Sequence, residues 1–224
     1  YKRQLLHVSG YRDTAGIPAM WRGKAVDQAI TAALLDDLTD DQAIHEAQEA
    51  YARDEVDALR DGLPVNQKKA QSEGEAVERY LRIALPHYRS LGKPIASQKK
   101  ITLEYDWLTV PIIGYLDLLY DGVVRDIKTV GRLPSAVPQT VSRQLSIYAT
   151  AEQALPIVDY IHSTKSSAQV VVMPVPDVET HIKVVEQAAR QMQRLLSYSS
   201  DIQEVAQLLI CLLYTSPSPR DVIQ

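Results

Sequence analysis

The sequence predicts an α/β fold, with helices first and strands after. Three observations carry that expectation. The chain has 224 residues, 46% of them hydrophobic, enough for one domain with a sizeable core. Apolar residues recur at helical spacing through roughly the first 90 positions. After Gly92-Lys93-Pro94 the pattern changes to β-branched and aromatic runs bounded by Gly and Pro.

The elements follow in order. A helix is expected from about Ala19 to Leu35, with Trp21, Ala25, Ile30 and Ala33 on its apolar side. Thr39 suits the N-cap of a second helix running to about Leu59. Asp40, Asp41 and Gln42 fall in its first turn, where the helix dipole favours acidic groups. Gly62-Leu63-Pro64 breaks it. A third helix starts near Gln67 and reaches Leu85 or Ser90, with Pro86 kinking or ending it. Strands are expected at 95–105, 108–119 and 122–130. Pro134 and Pro138 frame a loop into a helix from about Gln139 to Gln153. Strands at 157–163 and 170–175 follow, and Asp177 can cap a final amphipathic helix to about Tyr198.

Residues 114–128, GYLDLLYDGVVRDIK, are the most informative stretch. Asp121-Gly122 is a preferred two-residue loop for a type I′ hairpin turn. With that loop, Tyr120 faces Val123, Leu118 faces Arg125 and Asp117 faces Asp126. Lys128, two residues beyond Asp126, falls on the same face as Asp126. Directly opposed carboxylates lie about 4.5–5.5 Å apart at Cβ and destabilise a hairpin unless something compensates. A divalent cation such as Mg²⁺ does so, taking one or two carboxylates and leaving positions for water and phosphate oxygens.

The pattern Gly114-x-x-Asp117, Asp126-x-Lys128 and Gln144-x-x-x-Tyr148 resembles the RecB-like, phage-exonuclease-like branch of the PD-(D/E)XK nuclease superfamily. The resemblance spans most of residues 17–203. It implies a restriction-endonuclease-like αβββαβ core, a mixed central sheet flanked by helices, with residues 36–92 as an N-terminal helical elaboration. It also implies that Asp117 and Asp126 ligate the metal, with the Ile127 carbonyl as a further ligand. Lys128 would be the catalytic lysine, and Gln144 and Tyr148 the motif on the following helix. An acidic residue or histidine is expected on an early helix. Asp27 takes that place in PAMWRGKAVDQAI, a departure from the more usual Glu or His, and Glu78 on the third helix is its rival.

Composition limits the remaining classes. A net charge of −4 argues against a protein that grips nucleic acid over its whole surface, yet leaves room for a local cationic track from Lys99, Lys100, Arg125, Arg132 and Arg143. No apolar run approaches the length of a membrane span, and YKRQLLHVSG lacks the layout of a secretory signal. His7, His45, His87, His162 and His181 show no metal-ligand spacing, though His162, on a strand after the motif helix, could touch a phosphate. There is no Walker-type loop and no G-x-S-x-G element. Residues 211–221, CLLYTSPSPRD, resemble a translated sequencing-library adapter. On that reading 1–210 is one nuclease-like domain, 211–224 is a non-native tail and Cys211 is foreign. A single cysteine cannot hold an iron–sulfur cluster. Lacking an initial Met, the chain reads as truncated.

The function expected is hydrolysis of DNA phosphodiester bonds by a water activated on Mg²⁺, or Mn²⁺, in an exonuclease or a recombination and repair nuclease. The alternatives are a weak or inactive DNA-binding scaffold of the same fold, and a nuclease acting on RNA. The expected partner is DNA, with a single-strand annealing protein implied by the resemblance. The expected setting is the cytoplasm of a bacterial or phage-infected cell, away from membranes.

Overall fold

The computed structural model describes residues 17–164, 168–199, 201, 204 and 205. The adapter-like tail and His7 lie outside the described residues. The described chain divides into two compact units, one made of 17–105 with Val110–Val185, the other of Asp106–Thr109 with residues from Glu186 onward.

The larger unit opens with three helices, α1 (Pro18–Leu35), α2 (Asp40–Arg60) and α3 (Gln67–Leu91). Pro18 begins α1 at a position whose N–H would have had no helical partner. Thr39 caps α2 in a reciprocal capping box with Gln42, which satisfies two otherwise orphaned donors. Pro86 does not end α3. The helix continues to Leu91 and stops at Gly92, whose φ of 79° opens the way into the sheet.

The sheet comprises β1 (Ala96–Leu103), β2 (Ile112–Tyr120), β3 (Val123–Val130), β4 (Leu155–Ser163) and β5 (Ala168–Pro174), in that spatial order. Only β3 and β4 pair in parallel, joined through α4 (Gln139–Glu152), so the sheet is mixed as expected. One core lies between α1–α3 and the sheet face carrying Leu118, Ile127 and Ile161. The second packs α4, through Leu145, Tyr148 and Ala149, on Ile101, Leu116, Leu119, Val124, Val158 and Tyr160.

The hairpin register is the expected one, with Tyr120 opposite Val123, Leu119 opposite Val124 and Leu118 opposite Arg125. Two details differ. The turn is not type I′, because a positive φ is found at Gly122 alone and not at Asp121. The ladder also ends at Leu118–Arg125, so Asp117 and Asp126 do not form the next rung.

α5 (Val178–Leu196) follows β5, and the Asp177 carbonyl accepts its first main-chain bonds, from Thr180 and His181. In the smaller unit, Gln193 on α5 accepts from Thr109 N and donates to the Trp107 carbonyl, both at 2.9 Å. The Arg190 guanidinium stacks 3.7 Å from the centre of the Trp107 ring. No described helix is long and apolar enough to cross a membrane.

Candidate active site

The site forms where β2 parts from β3. Instead of continuing the ladder, Asp117 Oδ2 accepts from the Ile127 main-chain N–H at 2.8 Å, so a side chain replaces a strand contact. β1 is irregular at the same level. Gln98, the residue that the register sets against Asp117, has φ 46° and no ladder partner. Such a conformation is uncommon for a residue with a side chain. Here the Gln98 carboxamide donates to Asp27 Oδ2 on α1 at 2.9 Å.

These two irregularities reverse the facing of both strands. Ala96 and Leu119 pack with the α4 core, and so do Ile101 and Leu116, although an unbroken alternation would set them on opposite faces. Leu118 belongs to the other core. The expected picture of two carboxylates on one flat face is therefore replaced by a seam in the sheet, with Asp117 and Asp126 on its two sides.

Burial and mutual repulsion dominate the electrostatics. Asp117 is pushed up to about 7, first by burial, then by Asp126 and Asp27, against the Ile127 N–H and Lys128. Asp27 is pushed up to about 6 by burial and then Asp126, with Lys128 and Gln98 opposing. Asp126, 1% exposed, is also raised, burial outweighing the pull of Lys128. For Lys128 burial acts downward, but Asp126, with Asp117 and Tyr148, more than offsets it and the ammonium is held above its usual range.

Lys128 Nζ stands 2.6 Å from Asp126 Oδ2 as an ion pair. Asp126 Oδ1 and Asp27 Oδ1 are buried without a hydrogen-bond partner. Three acidic groups thus face one cation.

The motif helix meets this cluster. Gln144 Nε2 donates to the Tyr148 hydroxyl at 2.9 Å. Tyr148 is raised by burial, against that hydrogen bond, and it interacts with Asp126, Asp117 and Lys128. Its ring lies so close to Gly114 that a Cβ there would stand 2.5 Å from Tyr148 Cε1. That contact explains the glycine three residues before Asp117.

Of the two rival acidic residues, Asp27 stands in the cluster, whereas Glu78 pairs with Arg82 one turn along α3 at 2.7 Å. Three of the five basic residues named from sequence have partners within the chain. Arg125 is an ion pair of Asp159, at 2.7 and 2.9 Å, and Lys99 one of Glu152 at 2.7 Å. Arg143 donates to Gln139 on its own helix. Lys100 and Arg132 are exposed. His162 Nδ1 lies 3.2 Å from the Val130 carbonyl.

Sequence reasoning missed Gln98 and the Arg22 clamp. The Arg22 guanidinium pairs with Glu73 and reaches the Thr129 carbonyl at 3.2 Å, tying α1 to the strand that carries Asp126 and Lys128. Neither has a signature in residue type or spacing, because both depend on where distant elements meet.

The carboxylate oxygens left without partners suit a hard divalent cation. Among the described residues, no three His, Cys, Asp or Glu side chains are grouped so as to hold one ion between them. A cation here would rest on one or two of these carboxylates, the number Mg²⁺ usually takes, with waters and phosphate oxygens completing its shell.

No family model and no curated protein matches the chain. Among solved structures, it is similar to one from Eubacterium rectale described as a "Putative exonuclease". The TM-score is 0.56 and the identity 12%, over 85% of this chain and 71% of that one. At that identity the likeness concerns the fold: an α/β sheet flanked by helices. A second structure, described as SSO0001, aligns with a TM-score of 0.33 and 20% identity. That alignment takes in 44% of this chain and half the length of the other, and carries no argument.

Proposed function

We propose that the chain is a metal-dependent nuclease of PD-(D/E)XK type, RecB-like or phage-exonuclease-like, that hydrolyses DNA phosphodiester bonds, most readily as an exonuclease. The observation that carries this reading is the seam itself. Asp117, Asp126, Asp27 and Lys128, drawn from β2, β3 and α1, meet where the sheet opens, with Asp126 Oδ1 and Asp27 Oδ1 buried and unpartnered.

Asp117 and Asp126, with the Ile127 carbonyl, would hold Mg²⁺ or Mn²⁺, and Asp27 would be the third acidic group, steadied by Gln98. Bound there, the ion supplies a lowered pKa for a coordinated water and relief of the charge that develops on the phosphorus. Lys128 stands 2.6 Å from Asp126, within the same cluster. It donates to a phosphate oxygen or orients the attacking water. Tyr148, locked by Gln144 and seated on Gly114, closes the α4 side of the cluster. Hydrolysis forms one bond from the water oxygen to phosphorus and breaks one bridging P–O bond.

The test is incubation with linear and circular DNA under Mg²⁺, Mn²⁺ or chelator, beside Lys128→Ala. Cleavage should require the metal and fall by roughly 100-fold or more without the lysine. Loss of linear DNA alone identifies an exonuclease. Cleavage indifferent to chelator, or undiminished in Lys128→Ala, overturns the reading. The absence of a three-ligand group among the described residues favours a second reading, a DNA-binding scaffold that does not cut. Binding without cleavage in every metal would establish it.

A further inference from the structure

Beyond the seam, β1 and β2 run on as a two-stranded ribbon with one face packed and one exposed. Ile101 and Leu116 face α4, and the Lys99–Glu152 ion pair ties the same side to that helix. Alternation then assigns Lys100, Thr102, Ile113 and Tyr115 to the opposite face, where Lys100 pairs directly with Tyr115 and Thr102 with Ile113. All four are exposed, Tyr115 at 57% and Ile113 at 51%. On that side of the sheet, α1 and α3 pack mainly over β3, β4 and β5, which leaves the ribbon uncovered among the described residues.

This exposed face abuts the cluster. Tyr115 precedes Asp117 by two residues and Lys100 follows Gln98 by two, about 7 Å along each strand. It offers an aromatic ring for stacking, a cation across from it, apolar Ile113 beside it, and the carboxylate cluster at its end. Aromatic platforms interleaved with cations are what unpaired bases and their phosphates recognise, whereas a duplex keeps its base faces covered.

We propose that the exposed β1–β2 face is the surface over which single-stranded DNA runs into the carboxylate cluster, with a base on Tyr115 and a phosphate on Lys100. The proposal rests on the nuclease reading for the identity of the site, and adds the strandedness of the substrate and the residues that grip it. Charge supports this occupant. Lys100 makes no ion pair among the described residues, and the rest of its face is uncharged. A phosphate bound there would neutralise it without displacing an existing partner.

The experiment measures binding of a fluorescent oligothymidylate and of a matched blunt duplex, in chelator so that nothing is cut. The unmodified protein is compared with Tyr115→Ala, Tyr115→Phe, Lys100→Gln and the control Lys69→Gln on α3. Expected are a preference for the single strand and a roughly 10- to 100-fold loss in Tyr115→Ala, with retention in Tyr115→Phe. Lys100→Gln should flatten the salt dependence by about 0.7 in log–log slope, and Lys69→Gln should leave it unchanged. In parallel, KM and kcat are measured with Mg²⁺, and the Tyr115→Ala effect should fall on KM. Unchanged binding in Tyr115→Ala, equal losses on duplex, or no single-strand binding at all overturns the proposal. Cleavage that proceeds with an unaltered KM sinks the surface and spares the nuclease. Tyr115-dependent binding without cleavage in any metal does the reverse.

Discussion

Two neighbouring residues of β3 lead into two buried ionic sites of opposite character. Arg125 looks toward the α1–α3 core and meets Asp159, 0% exposed at its side chain, with both carboxylate oxygens served by one guanidinium nitrogen. Asp126 looks the other way and joins Asp117 and Asp27 around the single ammonium of Lys128. The Arg125–Asp159 pair balances its charge and leaves neither Asp159 oxygen without a partner. The second site is balanced in neither respect, and buried polar groups left unsatisfied are costly wherever they occur. An arrangement of that kind persists where something from outside completes it, which is the physical reason to look for chemistry at Asp126 and for architecture at Arg125.

The largest effect expected separates the two by activity. Asp126→Asn should lower cleavage by ~10³-fold or more, since even outer partners of a metal are worth 10- to 100-fold. The metal-free melting temperature should hold or rise, because one member of a repelling group is gone. A fall in melting temperature that accounts for the lost activity would erase the contrast, and activity assays paired with thermal unfolding decide it.

The converse change addresses the balanced site. Arg125→Leu strands a buried carboxylate and should cost about 3–5 kcal/mol of stability in urea unfolding. Arg125→Leu combined with Asp159→Leu should recover most of that loss, since the penalty comes from the charge left unpaired. A double variant as unstable as the single one would show that the pair contributes more than neutrality.

A smaller effect concerns pH. Folded-state values near 7 for Asp117 and near 6 for Asp27 lie above the ordinary carboxylate value of 3.8. The folded chain therefore retains protons that the unfolded chain has released. The stability this contributes is complete below pH ~4 and is lost as pH rises to 7. Metal-free unfolding across pH 4–8 should show Asp117→Asn gaining on the unmodified protein as pH rises. Parallel curves would remove the repulsion from the argument.

Much of the framework was legible in the sequence because it is locally encoded. Thr39 with Gln42 marks the start of α2, and Asp121-Gly122 fixes which residues of β2 and β3 oppose each other through Leu118 and Arg125. What lay beyond reach was the break in that regularity one rung later. Period-two reasoning extends a ladder indefinitely, and nothing in the residue types at Gln98 and Asp117 says that both strands reverse their facing there. That Arg125, a candidate for the cationic track, pairs with Asp159 is hidden for a related reason. Its partner Asp159 is 34 positions away, on a strand whose parallel pairing with β3 is decided by tertiary structure. Gly114 and Tyr148 were seen as parts of one motif, and the ring seated against the glycine supplies the steric cause.

The double reversal at Gln98 and Asp117 works as a swivel set into an otherwise continuous fabric. Ahead of it, the tip of the ribbon can exchange what it displays to the surroundings, since a substitution at Lys100, Ile113 or Tyr115 transmits no change of facing to the residues behind. The proposed cutting site and the proposed grip are joined by covalent chain yet free to diverge separately, so rewriting a short outer hem would be enough to change what the ribbon recognises.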